Sequence, residues 1–165
     1  MPFNLLKVYN QLLEFVGMNP YQRNQSLRGV FQRDIEHNAA FRFRGKQINP
    51  TKGNEPPMSI LFTHLTTVIV NEETRQREFE IKRSERLHWV KYHIDEKKAT
   101  GMIVFSVSEP AGVRTYILDD TEGYVIILEA YRNQTEYYLL TAYFLEGRNT
   151  DKIKAKYRRR LPDVV

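Results

Sequence analysis

Between Met102 and Gly147 the chain alternates short apolar runs with clusters of turn-forming residues. The runs are MIVFSV, VRTYIL, YVIILEA and YYLLTAYFLEG. The separators are Glu109-Pro110-Ala111-Gly112, Asp119-Asp120-Thr121-Glu122-Gly123 and Arg132-Asn133-Gln134. Each run has strand length and is rich in β-branched and aromatic residues, and each separator carries turn chemistry. This spacing predicts a four-stranded antiparallel sheet over residues 102–146. A basic segment follows, DKIKAKYRRR, and reads as a helix end. Ahead of the strands lies RSERLHWVKYHIDE, read as an amphipathic helix from Ser84 to Glu96. Ser84 is its expected N-cap, with Glu85 in its first turn. Leu87, Val90 and Ile94 form the stripe facing the sheet, and His88 and Lys91 sit three apart beside it.

The first half is less regular. Leu5, Tyr9, Leu12, Leu13 and Val16 recur at helical spacing, and Gly17 with Pro20 closes that run. A second helix is expected from Ser26, with Leu27, Val30, Phe31 and Ile35 on one side. Asn49 to Pro57 is dense in Pro, Gly and Asn and reads as a loop. A soft boundary there separates an N-terminal helical portion and loop, 1–57, from an α+β portion, 58–165. Beyond the loop, Ile60 to Val70 reads as a strand. A turn at Asn71–Thr74 and a second strand with Arg77, Phe79 and Ile81 on one face complete a hairpin. The fold class is α+β: N-terminal helices, a hairpin, a helix, a four-stranded antiparallel sheet and a C-terminal basic helix.

Alternation within the strands assigns side chains to faces. Arg114 and Tyr116 share one face of their strand. In the last strand Leu139, Thr141, Tyr143 and Leu145 share one face, and Leu140, Ala142 and Phe144 the other. The Thr141–Tyr143 pair is therefore a hydroxyl-bearing surface on a sheet face expected to be open.

A chain of 165 residues is long enough for a core of its own. It has no cysteine, which removes disulfides, thiolate ligands and cysteine nucleophiles. The apolar stretch from Leu5 to Val16 is broken by Lys7, Asn10, Gln11 and Glu14, so neither a membrane span nor a signal peptide is expected and the cytoplasm is the default. Net charge is +5 and unevenly placed. Residues 151–160 hold six Lys or Arg against one Asp, and residues 22–46 hold six against two acids. Such clusters favour a polyanion, although a solvated basic surface is the plainer reading.

No HExxH, thiolate set, Walker loop, dinucleotide loop or GxSxG elbow occurs, so no metal and no cofactor is expected. The chemistry left to such a chain belongs to His, Lys, Arg, Tyr and Thr side chains. That set suffices for phosphodiester cleavage: a base takes the ribose 2′-proton, cations stabilise the phosphorane and an acid protonates the leaving oxygen. Of the four histidines, His88 is the expected acid or base, with packing at the stripe edge as its plainer role. His93 reads as structural or surface, and His64, placed in a strand, ranks last. Arg114 is expected to clamp a phosphate, or else to pair with Glu129 or Glu136 across strands. Thr141 and Tyr143 complete the catalytic candidates. Arg83, Arg86, Lys91, Lys154, Lys156, Arg158 and Arg159 are the candidates for holding nucleic acid.

FEIKRSERLHWVKYHI, VRTYIL, YVIIL and YYLLTAY, followed by a basic helix, resemble the phage and mobile-element nucleases of the barnase–EndoU–colicin–RelE-like (BECR) superfamily. The resemblance spans roughly residues 60–160, and RLHW and LLTAY are its most specific pieces. It implies a helix followed by a four-stranded antiparallel sheet and metal-independent endoribonuclease activity. It also implies active residues on the helix and the exposed sheet face, which here are Arg83, Arg86, His88, Arg114, Thr141 and Tyr143. The expected partner is RNA (tRNA, mRNA or ribosome-bound), with a cognate inhibitor protein if the chain is a toxin or effector. The alternative, from another class, is a non-catalytic nucleic-acid-binding or interaction module of a mobile element on the same fold.

Overall fold

The structure, a computed structural model, describes residues 2–50 and 56–165. It is α+β. A 3-10 turn, Pro2–Leu6, leads through an irregular stretch to α1 (Pro20–Phe31) and a π turn (Gln32–Glu36). Next come β1 (Arg42–Phe43), β2 (Lys46–Pro50) and α2 (Pro57–Thr66). The hairpin β3 (Thr67–Asn71) and β4 (Gln76–Phe79) precedes two short helices, α3 (Ile81–Ser84) and α4 (Trp89–Ile94). The remainder is β5 (Met102–Glu109), β6 (Gly112–Asp119), β7 (Tyr124–Ala130), β8 (Glu136–Phe144) and α5 (Arg148–Arg158). No helix among the described residues is long and apolar enough to cross a membrane.

The four strands between 102 and 146 form an antiparallel meander, but they belong to a larger, mixed sheet. Its order is β1-β2-β8-β7-β6-β5, and β2 runs parallel to β8. The sequence KQINP hides β2, since Asn and Pro are poor strand residues. Only Ile48 is deeply buried there, 6% exposed. Asn49 and Pro50, expected in a loop, therefore lie in this strand, while residues 51–55 of that loop are outside the described residues. With β1 and β2 in the sheet, Leu27, Phe31, Phe43 and Ile48 share one core with Ile126, Leu128 and Leu139.

Three expected elements differ. Leu5 to Val16 is not a helix beyond Leu6, because its polar groups are used across the molecule rather than along it. Leu13 N donates to Glu85 O, the Trp89 indole donates to Gln11 O, and the Asn4 side chain brackets the Glu14 backbone. Ile60–Val70 is helix before it is strand. Leu61, Phe62 and Leu65 bury at helical spacing, Pro57 occupies the first turn, and the Thr66 and Thr67 hydroxyls donate back to Phe62 O and Thr63 O. The expected helix 84–96 is broken in two. Ser84 does not cap it; the residue is fully buried at the end of α3 and its hydroxyl donates to Thr66 O at 2.8 Å. Glu80 caps α3 instead, accepting from Arg83 N. Leu87, Val90 and Ile94 are nonetheless buried as the spacing predicts.

The second helix starts earlier than Ser26, at Pro20, where Asn19 and Gln22 form a reciprocal capping box. The expected run Arg77, Phe79, Ile81 also splits, for Ile81 opens α3.

Both faces of the sheet are covered. The inner face carries Ile117, Ile126, Leu128, Leu139 and Ala142 against α1, α2 and the 84–96 segment. The outer face, expected to be open and polar, packs Phe105, Tyr116, Leu118 and Val125 under Ile153 and Tyr157 of α5. A β-bulge at Leu140 sets the side chains of β8. Thr141 pairs with Ile127, Leu139 with Leu128, and Leu140 is the extra residue. Tyr138, Thr141 and Tyr143 therefore all reach the outer face, while Leu139 turns into the inner core and does not join them.

Candidate functional site

β2 pairs with β8 only as far as Leu139, which leaves the far half of that edge to α2 and α3. Arg83 of α3 fills the junction. Its Nη1 donates to the carbonyls of His64 (2.7 Å) and Thr67 (3.2 Å) and to Thr141 Oγ1 (3.3 Å). Its Cζ lies 5.4 Å from the Tyr143 ring centroid. Arg77 arrives from β4: Nε donates to Thr67 Oγ1 (2.8 Å) and Nη2 to Thr67 O (3.1 Å). One carbonyl oxygen, that of Thr67, thus accepts from two guanidinium groups.

Every one of those acceptors is neutral. Among the described residues neither arginine forms an ion pair with a carboxylate, and Arg83 Nε is buried with no partner. Glu80 is close, but its carboxylate is engaged by the Arg83 backbone amide at 2.6 Å. Burial pulls the Arg83 guanidinium below its ordinary range; Tyr124 opposes this and the Arg77 charge adds to it. Arg77 is lowered as well, by burial first and then by Arg75. Two half-buried like charges, offset only by the nearby Glu80 carboxylate, mark a place where an anion would be stabilised.

His64 belongs to the same group. Burial, and then the charge of Arg77, lower its pKa below that of an ordinary histidine; the Leu140 backbone opposes this in part and Arg83 reinforces it. At neutral pH the ring is therefore uncharged and able to accept a proton. Burial raises the Tyr143 phenol, against the Arg83 charge, and so keeps it protonated as a donor. Two guanidinium groups, a neutral imidazole and two hydroxyls form a set suited to a phosphate and the chemistry of its esters.

Of the residues singled out in the sequence, Arg83, Thr141 and Tyr143 meet here. His64 and Arg77 complete the group, and neither stands out in the sequence, where both read as strand residues. The helical spacing of Leu61 and Leu65 was the available signal, since it makes His64 a helix-end residue. His88 is elsewhere. It lies among Val8, Arg33, Asp34 and Tyr92, on the side of the sheet opposite to Arg114. It is 5% exposed, and neither ring nitrogen has a partner in full hydrogen-bonding geometry. Burial pushes its pKa down to about 4, against weaker favourable effects of the Val8 and Gln11 backbone. That setting fits a packing histidine and separates it from Arg114, Thr141 and Tyr143.

Arg114 faces its register partner Glu129, Nε to Oε1 3.5 Å, as the plainer reading expected. Arg86 stacks over Phe144 at 4.0 Å and binds Glu85 and the Lys82 carbonyl. Lys91 pairs with Asp95 at 2.6 Å, and Lys156 pairs with Glu109. Lys154 and Arg158 are exposed on α5, and Arg159 is exposed at its C-cap.

A second polar cluster joins His93 to Asp119. His93 Nδ1 faces Trp89 O (2.7 Å) and Nε2 faces Asp119 Oδ2 (2.8 Å), which also accepts from Tyr9 OH. The side chains of His93 and Asp119 are wholly buried, so no substrate reaches them and the cluster is structural. Among the described residues, no group of three or more His, Asp or Glu is placed to hold a metal ion. No protein-family model, no curated protein and no solved structure matches this chain.

Proposed function

We propose that this chain is a metal-independent endoribonuclease, with a BECR-like helix and sheet, acting at the junction of Arg83 and β8. The supporting observation is the pair of guanidinium groups on one carbonyl, neither in an ion pair among the described residues, beside a neutral histidine. His64 takes the proton of a ribose 2′-hydroxyl, and the 2′-oxygen attacks the adjacent phosphorus. Arg77 and Arg83, with the Thr141 hydroxyl, hold the charge of the pentavalent phosphorane. The bond to the 5′-oxygen breaks, that oxygen takes the Tyr143 proton, and a 2′,3′-cyclic phosphate remains. His64, now protonated, returns a proton to Tyr143 through solvent.

The test is cleavage of total tRNA and mRNA by the purified chain in EDTA, with and without translating ribosomes. His64→Ala is expected to lose about two to four orders of magnitude in rate, the range for one acid–base group. Arg83→Lys is expected to fall comparably, because a lysine keeps the charge and loses the fork. Thermal unfolding of both variants separates this loss from misfolding. Wild-type protein that binds RNA and cuts none, even on ribosomes, overturns the catalytic reading in favour of a non-catalytic nucleic-acid-binding module.

A further inference from the structure

A second groove lies away from Arg83. It lies at the other end of β8, where a cavity of about 630 Å³ is lined by Gly112, Glu129, Tyr131, Arg132, Asn133 and Tyr138. Its wall is an aromatic pair. The rings of Tyr131 and Tyr138 lie 4.5 Å apart at 31° to one another, and both residues are only half-buried. Beside them stand the guanidinium of Arg132 and the amides of Asn133 and Gln134, donors and acceptors of the kind that read base edges.

The bulge at Leu140 ties this groove to the arginine site. Tyr138 and Thr141 are three apart, so regular alternation would put them on opposite faces. With the extra residue between them, Tyr138 (paired with Glu129) and Thr141 (paired with Ile127) both reach the outer face. Their partners Glu129 and Ile127 are two residues apart on β7, which puts Tyr138 and Thr141 roughly 7 Å apart. An aromatic platform and a cationic site thus share one face of one strand, at a distance a short stretch of extended nucleic acid spans.

We infer that the Tyr131–Tyr138 groove is a nucleobase-stacking subsite, which receives an unpaired base of a single-stranded RNA whose phosphate lies at Arg77 and Arg83. The inference rests on the nuclease reading for the position of that phosphate. Stacking on a tyrosine face tolerates any base, and only an unpaired base can leave its own stack to enter the groove. A duplex cannot present such a base, so the subsite selects single strands or loops.

Binding tests this apart from cleavage. A fluorescently labelled, single-stranded oligonucleotide with 2′-deoxy sugars cannot be cut by 2′-attack, and its anisotropy reports affinity alone. Tyr131→Ala is expected to weaken binding about 5- to 150-fold, while Tyr131→Phe, which keeps the ring, binds as wild type. Moving an abasic residue along the oligonucleotide should reproduce that loss at one position in the wild type, with no further loss in Tyr131→Ala. Equal affinity of Tyr131→Ala and wild type, with unchanged thermal unfolding, overturns the subsite whatever the protein does to an all-ribose strand. Affinity that depends on Tyr131 in a protein that cuts no RNA supports the subsite and refutes the catalytic reading alone.

Discussion

At the scale of single residues, histidine burial decides what each ring does. His88 is held uncharged with its pKa near 4, whereas an unfolded chain returns it to the ordinary value near 6.5. Between those limits the unfolded state binds the extra proton. The stability that neutral His88 contributes is therefore complete above pH 6.5 and is lost as pH falls toward 4. The whole effect is roughly 3 kcal/mol. Urea unfolding of wild type and His88→Gln at pH 7, 5 and 4 should show the wild type losing more stability by about that amount; parallel losses would refute the assignment. Asp119 behaves in the opposite electrostatic sense. Burial opposes its ionisation, yet bonds from His93, Tyr9, the Glu122 amide and Thr121 outweigh burial and hold the carboxyl below the usual carboxylate range. Its contribution is thus present through neutral pH and declines only as pH drops below that range. Asp119→Asn removes the carboxylate that accepts from Tyr9 OH, the Glu122 amide and the Thr121 hydroxyl and faces His93 Nε2, and should cost about 1–3 kcal/mol by urea unfolding at pH 7. A cost below about 1 kcal/mol would mean that these bonds to the carboxylate do not hold the cluster together.

At the scale of elements, β8 carries the most consequence per residue. Its bulge keeps Tyr137 and Leu139 in the inner core, 1% and 0% exposed, while presenting Tyr138, Thr141 and Tyr143 outward. Deleting Leu140 removes the extra residue, so plain alternation then keeps Tyr138, Thr141 and Tyr143 outward and Leu139 and Ala142 inward. That deletion is expected to cost about 1–2 kcal/mol in thermal or urea unfolding, close to Leu140→Ala, which shortens the same half-buried side chain. A cost above about 3 kcal/mol for the deletion would show that Leu140 is not the extra residue of the pairing. The same strand explains what could be read beforehand. Residues 102–146 announce four strands because apolar runs and turn residues alternate, and Leu27, Val30, Phe31 and Ile35 announce a helix face by their spacing. A bulge has no such signature: one extra residue in YYLLTAY looks like any other. Ile60 to Val70 misleads for a related reason, since a short apolar run fits helix and strand equally until Leu61 and Leu65 are matched to a partner. Misreading α2 also hid His64. Arg83, Thr141 and Tyr143 were legible as candidates, but their meeting with His64 and Arg77 depends on how α2 and the β3–β4 hairpin close on β8, a tertiary fact.

At the scale of the whole molecule, net charge of +5 acquires a direction. α5 packs through Ile153 and Tyr157 on the outer face, the face to which Thr141, Tyr143 and Tyr138 also point. Its cations are not equivalent. Lys156 is paired with Glu109, whose carboxyl it holds below the ordinary range, mainly through their hydrogen bond. Arg159 stands 4.0 Å from the same carboxylate, while Lys154 and Arg158 are exposed with no ion pair among the described residues. A strand crossing this face from the Tyr131 groove to Arg83 runs under their field. Each phosphate neutralised releases counterions, so log affinity for single-stranded RNA should fall with log salt by about 0.7 per contact. Neutralising Lys154, Arg158 and Arg159 together to Gln should flatten that slope by about one to two units, the loss expected for two or three phosphates. Lys156→Gln should leave the slope nearly unchanged, because its charge is already met by Glu109, and should lower stability instead. Binding isotherms of an uncleavable single strand from low to high salt measure both. If the triple variant keeps the wild-type slope, α5 is a solvated surface and the RNA reaches Arg83 from the β3–β4 side.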